Sequence, residues 1–241
     1  MLTKKYKNKY FSILGDSIST LEGYSVPKGA AFYDKDYKRL ANVWLYADTW
    51  WGQVLDALGA ELLVNNSISG STVAWHPALE WASYASSDER TSALHKGGVS
   101  PDVIVLFIGI NDWGAGVPLT EEFAKKYSAA SCEPRAMFDF AYAETLRKLR
   151  VNYPKAEIWC FTLPIGRRLV EKNFEYEYYR NGVHIAEFCN VIRTCAEKYG
   201  CRTFDLYYNE QPYDSLEGYH PTAIGMRTLS ASILDKLTDE E

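Results

Sequence analysis

Short apolar runs that stop at polar, glycine-bearing loops recur along the chain and alternate with stretches of helical period. Tyr10-Phe11-Ser12-Ile13-Leu14 is the first run, and Gly15-Asp16-Ser17 ends it, the pattern of a buried strand whose carboxyl end opens into a loop. Leu62-Leu63-Val64 is a second run, leading into a polar loop from Asn65 to Gly70. The most apolar segment, Val103 to Ile108, follows Pro101-Asp102 and precedes Gly109-Ile110-Asn111-Asp112. Its unbroken apolarity predicts a central parallel strand covered on both faces. Glu157 to Thr162, ending at Leu163-Pro164, and the short Arg202 to Leu206 complete the predicted strands.

Between these runs the period lengthens. Trp51, Val54, Leu55 and Leu58 recur at helical spacing and stop at Gly59, which predicts a helix with a glycine cap. Phe138, Ala141, Tyr142, Thr145, Leu146 and Leu149 predict another helix. Ile185, Phe188, Cys189, Ile192, Ala196 and Tyr199, closed by Gly200, predict a third, and a last one runs from about Thr222 to Leu237. Strands that alternate with helices imply a parallel sheet covered on both faces, because each parallel connection needs a crossover. The expected fold class is therefore α/β, a three-layer α/β/α arrangement on about five parallel strands. No repeat or linker interrupts the pattern, so a single domain over 1–241 is expected. The stretches 22–48, 75–100, 113–132 and 166–182 read as insertions after strand ends, the edge at which open α/β sheets bind ligands.

Composition removes several function classes. With 26 Lys+Arg against 31 Asp+Glu the net charge is −5, so there is no basic excess for a nucleic-acid partner. No window approaches the roughly 18 to 20 apolar residues of a membrane span. The apolar stretch after Lys4, Lys5, Lys7 and Lys9 is cut by Gly15-Asp16, too short for a signal sequence, and a soluble cytoplasmic protein is expected. The five cysteines, Cys132, Cys160, Cys189, Cys195 and Cys201, form no C-x-x-C pair and read as reduced, mostly buried thiols. His76, His95 and His184 have no ligand spacing, so neither metal nor cofactor is expected. Aromatics make up 15% of the chain. Trp44, Trp50, Trp51, Trp75, Trp81 and Trp113 fall in or near the insertions and read as a candidate substrate wall. Trp75-His76-Pro77 is a candidate pocket wall, and Arg167-Arg168 is either an anion contact or a solvated pair. The run Phe174 to Tyr179 reads as a lid or an oligomer contact.

Four polar clusters stand where a site is expected: Gly15-Asp16-Ser17, Ser69-Gly70, Gly109-Ile110-Asn111-Asp112, and Glu217-Gly218-Tyr219-His220-Pro221. In this order they resemble the SGNH hydrolase superfamily, the GDSL-type esterase/lipase family, and the resemblance runs from Phe11 to about Met226. There is no G-x-S-x-G elbow of the α/β-hydrolase kind. The resemblance implies a flavodoxin-like sheet and a cofactor-free serine hydrolase that cleaves a carboxylic ester through an acyl-enzyme. A serine hydroxyl needs a base to become a nucleophile. By the resemblance Ser17 is that nucleophile and His220 its general base, with the Ser17 and Gly70 N–H groups and the Asn111 amide as the oxyanion hole.

Family members usually carry an aspartate three residues before the histidine, and here Glu217 stands there. Glu217 is the expected catalytic partner that orients the imidazole, with Asp214 or a backbone carbonyl as the alternatives. Asp16 and Asp112 read as bonded to local backbone. A small-molecule or carbohydrate ester, above all a sugar acetate, is the preferred substrate. Two other readings stay open. One is a catalytically impaired SGNH-fold module that binds carbohydrate or lipid, and the other a flavodoxin-like binding protein, for which Ser17-Ile18-Ser19-Thr20 is a partial phosphate loop. The oligomeric state is left open.

Overall fold

The computed structural model describes residues 3–25, 31–76, 84–120, 133–208 and 212–238. One sheet holds β1 (Tyr10–Gly15), β2 (Glu61–Ser67), β3 (Val103–Phe107), β4 (Glu157–Phe161) and β5 (Arg202–Phe204), in the order β2-β1-β3-β4-β5 with all neighbours parallel. This order reverses between β1 and β3, and such a switch point opens a crevice at the carboxyl ends of the two strands. Gly15 and Phe107 pair there.

The period of two along each strand divides the core. Val103, Val105 and Phe107 join Trp159 and Phe161 on one face, against the helices Trp50–Leu58 and Ala223–Thr238. Ile104, Leu106, Ile158 and Cys160 point to the other, against Phe138–Asn152 and Ile185–Lys198. The chain is thus a five-stranded parallel sheet with helices on both faces, as the pattern predicts. The helix Trp50–Leu58 begins where Thr49 Oγ1 accepts from Gly52 N and ends at Gly59, whose φ of +63° suits glycine. His184 caps the helix Ile185–Lys198, its Nδ1 accepting from Ala186 N at 3.1 Å.

Three local readings change. β2 continues through Asn65, Asn66 and Ser67, which pair with Ile13, Leu14 and Gly15. Their polarity suggests a loop, but the backbone pairing prevails, and the Asn65 amide nitrogen donates to Ser19 O at 2.8 Å. The supposed loop after β3 starts a short helix, Ile110–Ala115. Three of the six tryptophans read as a wall are core: Trp50, Trp51 and Trp113 are each 1% exposed. Trp51 and Trp113 donate their indole N–H groups to Ser19 O and Val183 O, each at 3.0 Å, the usual condition for burying an indole. Trp44 is exposed, Trp75 lies beneath the Arg135 guanidinium, and Trp81 lies outside the described residues. Cys160, Cys189 and Cys195 are buried, whereas Cys132 and Pro77 fall outside the described residues. Among the described residues no helix is long and apolar enough to cross a membrane.

Candidate active site

Gly15 ends β1 where space is tight: a Cβ there would lie 2.7 Å from Ser67 Oγ. Past it the chain turns into a 3-10 segment, Ser17–Ser19, capped by Asp16, whose Oδ1 accepts from Ile18 N at 3.0 Å. The turn sets Ser17 at the sheet edge. Of its hydroxyl neighbours, Ser19 is fully buried and Thr20 Oγ1 donates to Ser17 O and accepts from Phe32 N. That internal bonding leaves little of the phosphate loop that a flavin-binding reading requires.

His220 arrives from the far end of the chain. His220 Nε2 lies 2.8 Å from Ser17 Oγ, and Nδ1 is hydrogen-bonded to Glu217 Oε1, which also accepts from His220 N at 3.1 Å. The loop is fastened on every side: Leu216 N donates to His220 O, Tyr213 OH to Tyr219 O, and Tyr33 OH to Pro221 O. The Phe32 ring lies flat on the imidazole, with centroids 3.5 Å apart. Gly218 makes the bend at φ +105°, and a Cβ there would meet Phe174 at 2.9 Å. Asp214 is turned away, its carboxylate accepting from Leu169 N at 2.8 Å and Thr222 Oγ1 at 2.6 Å. Of the two carboxylates left open by the sequence, Glu217 is the one on the ring.

Gly70 (φ +76°) and Asn111 complete the group. Asn111, on the first turn of Ile110–Ala115, donates one Nδ2 hydrogen to Ser71 O at 2.9 Å, and the amide has a second hydrogen to offer. Ser17, Gly70, Asn111 and His220 line one cavity of about 350 Å³. Asp112 reaches further than a local bond, accepting from Val73 N at 2.8 Å and Ala74 N at 2.9 Å. It ties the segment after Gly70 to the helix of Asn111. Burial pushes the Asp112 carboxyl up to about 7 against those two N–H groups. Burial likewise raises Asp16 to about 7, opposed by Ile18 N–H and by the charges of His220 and Arg90.

The model of the GDSL-like Lipase/Acylhydrolase family matches residues 9–237. The chain belongs to that family. Two solved structures assigned as GDSL-like lipases share the architecture. The one from Bacteroides uniformis is 26% identical with a TM-score of 0.69 over 96% of each chain. The one from Bacteroides ovatus is 25% identical with a TM-score of 0.67 over 97% of this chain and 99% of its own. Est24, a carbohydrate acetylesterase from Sinorhizobium meliloti, has the same fold at 13% identity, with a TM-score of 0.63 over 97% of this chain and all of its own. No curated protein matches.

Two residues of this GDSL-family site escape a reading of the sequence. Arg90, on the short helix Asp88–Ser92, is 3% exposed. It donates to Ser71 Oγ at 2.7 Å, Asn66 O at 2.8 Å and Gly15 O at 3.1 Å. Burial lowers its pKa to about 10. Nothing in the sequence sets it apart from a surface arginine. Arg180 lines the cavity beside His220. It sits on a hairpin of Tyr179–Arg180 with Val183–His184, whose turn, Asn181-Gly182, has φ values of +48° and +77°. Asn-Gly is the sequence signal for this turn, so the hairpin was there to be found.

Other candidates lie elsewhere. Arg168 pairs with Glu171, and Arg167 acts through its carbonyl, which accepts from Ser215 N and Ser215 Oγ, each at 2.8 Å. Neither arginine lines the cavity, and neither do Trp75 and His76. Phe174 and Tyr176 pack beneath Gly218, with Tyr176 stacked parallel to Trp113. Phe174 and Tyr176 therefore support the histidine loop, whereas Tyr178 and Tyr179 are exposed. Among the described residues no group of His, Cys, Asp and Glu is placed to hold a metal ion.

Proposed function

We propose that this chain is a serine esterase that hydrolyses a carboxylic ester through an acyl-enzyme. What carries the reading is the hydrogen-bonded series Ser17 Oγ, His220 Nε2, His220 Nδ1 and Glu217. Ser17 Oγ attacks the acyl carbon while its proton passes to His220 Nε2. The oxygen of the tetrahedral intermediate is held by the Ser17 and Gly70 N–H groups and the free Asn111 amide hydrogen, which is neutral and repels no developing charge. The carbon–alcohol bond then breaks, the alcohol leaves with the His220 proton, and a water repeats the sequence on the acyl-enzyme. Glu217 keeps Nδ1 protonated, so that Nε2 faces the serine as the acceptor.

A small acyl group, acetyl on a carbohydrate or another alcohol, suits a cavity of about 350 Å³, near the lower end of ligand sites. A sugar-stacking wall of tryptophan is no longer part of the case, because Trp50, Trp51 and Trp113 are core residues. Tyr219 is the aromatic ring at the cavity. The reading as an impaired binding module drew on Glu217 in place of aspartate, and the longer carboxylate reaches the ring. One experiment tests the whole: turnover of para-nitrophenyl acetate and octanoate by the native chain and by Ser17→Ala. The acetate should be the better substrate, and the variant should lose about ten-thousandfold or more in kcat. Undiminished turnover in Ser17→Ala sinks the nucleophile assignment, and a clear preference for octanoate sinks the small acyl group.

A further inference from the structure

We infer that Arg180 selects esters that carry a carboxylate beside the scissile bond. This rests on the esterase reading above and names its substrate class. Among the described residues the cavity has one permanently charged side chain in its lining, a positive one, and no acidic residue. The guanidinium is held on three sides. Its Nε donates to Glu177 at 2.9 Å, its Nη2 donates to Tyr219 OH at 2.8 Å, and the rings of Trp113 and Tyr219 lie 5.1 Å and 4.9 Å from it. Cation–π contacts of this kind hold an arginine without consuming its hydrogen-bond donors.

Nη1 is what remains. Among the described residues it has no acceptor, and it stands over Gly114, where a Cβ would come within 3.3 Å of it. The missing side chain at 114 keeps that edge open to the cavity. Glu177 offsets the charge only partly for a ligand inside, because it is 55% exposed on the outer side of the pair and water screens it. The Asn181-Gly182 turn fixes the strand that bears Arg180, so the donor edge is set before substrate arrives. A planar guanidinium edge suits a carboxylate better than it suits any neutral acyl or sugar group. A carboxylate anchored there holds the ester in the same cavity as Ser17 and Asn111. Bound through the leaving alcohol or through the acyl chain, it meets the same chemistry.

Two matched pairs separate those two sources. Para-acetoxybenzoate and its methyl ester differ by an anion on the leaving group, and mono(para-nitrophenyl) glutarate and its methyl-capped diester differ by one on the acyl group. In at least one pair the native chain should favour the acid by about tenfold in kcat/KM, mostly through KM. Arg180→Gln should bring that ratio close to one, while Arg180→Lys keeps part of it. No preference in either pair, or an equal loss on both members in Arg180→Gln, overturns the proposal; the second outcome means that Arg180 acts only by holding Tyr219. Calorimetry on Ser17→Ala supplies a readout without turnover. That protein should bind the acid of at least one pair more tightly than its methyl ester, and adding Arg180→Gln should erase the difference. If the native chain hydrolyses no ester yet this binding difference persists, the esterase reading fails and the anion site stands. If hydrolysis proceeds without any difference, the anion site fails alone.

Discussion

Glu217 carries one methylene more than the aspartate usual in its family, and that carbon determines how the imidazole is held. Its carboxylate reaches both Nδ1 and the backbone N–H of His220 while remaining 44% exposed. A carboxylate in contact with water contributes less charge stabilisation to an imidazolium than a buried one, so its main effect is to fix the tautomer. Glu217→Gln should lower kcat for para-nitrophenyl acetate by roughly a hundredfold to ten-thousandfold with little change in KM. Glu217→Asp should fall in between, because from the same backbone its shorter arm stops short of Nδ1. A Glu217→Gln enzyme within twofold of the native rate would leave a Ser-His dyad. Ser17, Gly70, Asn111 and His220 were legible as candidates because four polar clusters stand in the order of the family they resemble. The choice between Glu217 and Asp214 was not, since both are carboxylates close to His220 in sequence. Local backbone geometry turns one to the ring and the other to Leu169 N and Thr222 Oγ1.

Among elements, the short helix Asp88–Ser92 has an influence out of proportion to its length. It lodges Arg90 between the ends of β1 and β2 and the segment after Gly70, where the guanidinium ties Gly15, Asn66 and Ser71 together. Arg90→Met should destabilise the fold by about 3 kcal/mol or more, because the buried acceptors lose a charged donor that an apolar chain cannot replace. Urea unfolding measures this, and a loss below about 0.5 kcal/mol, the range of ordinary surface substitutions, would mean that the cluster does not depend on the arginine. Apolar runs announced β1, β3 and β4 because their side chains are buried on both faces. Polar Asn65, Asn66 and Ser67 concealed the second half of β2, where backbone pairing determines the strand. The tryptophans misled for a related reason: their place near insertions says nothing of depth, and Trp50 and Trp51 pack against the sheet from the helix that follows one.

For the molecule as a whole, two buried carboxyls beneath the cavity set a pH dependence. Asp16 and Asp112 are both raised to about 7 by burial. Between the unfolded value near 4 and that folded value, the native state binds more protons than the unfolded chain, so their contribution to stability falls as pH rises. An asparagine at 112 cannot accept from both Val73 N and Ala74 N, which makes Asp112→Asn the weaker protein at about pH 5. The native chain should lose part of that lead by about pH 8, as its own carboxyl ionises within the fold. Urea unfolding of both at the two pH values checks this, and a lead that widens with pH refutes it.

The separation of Ser17 from His220, 203 residues along the chain, also has a consequence in time. At about 5 to 20 residues per second, a ribosome makes the serine roughly 10 to 40 seconds before the imidazole proposed to activate it. Through that interval the nascent chain carries an ordinary alcohol. On the proposed esterase mechanism, hydrolytic power arrives only when the helix Ala223–Thr238 draws the histidine loop onto the finished sheet. By the same mechanism, a chain broken off before residue 220 has a nucleophile with no base.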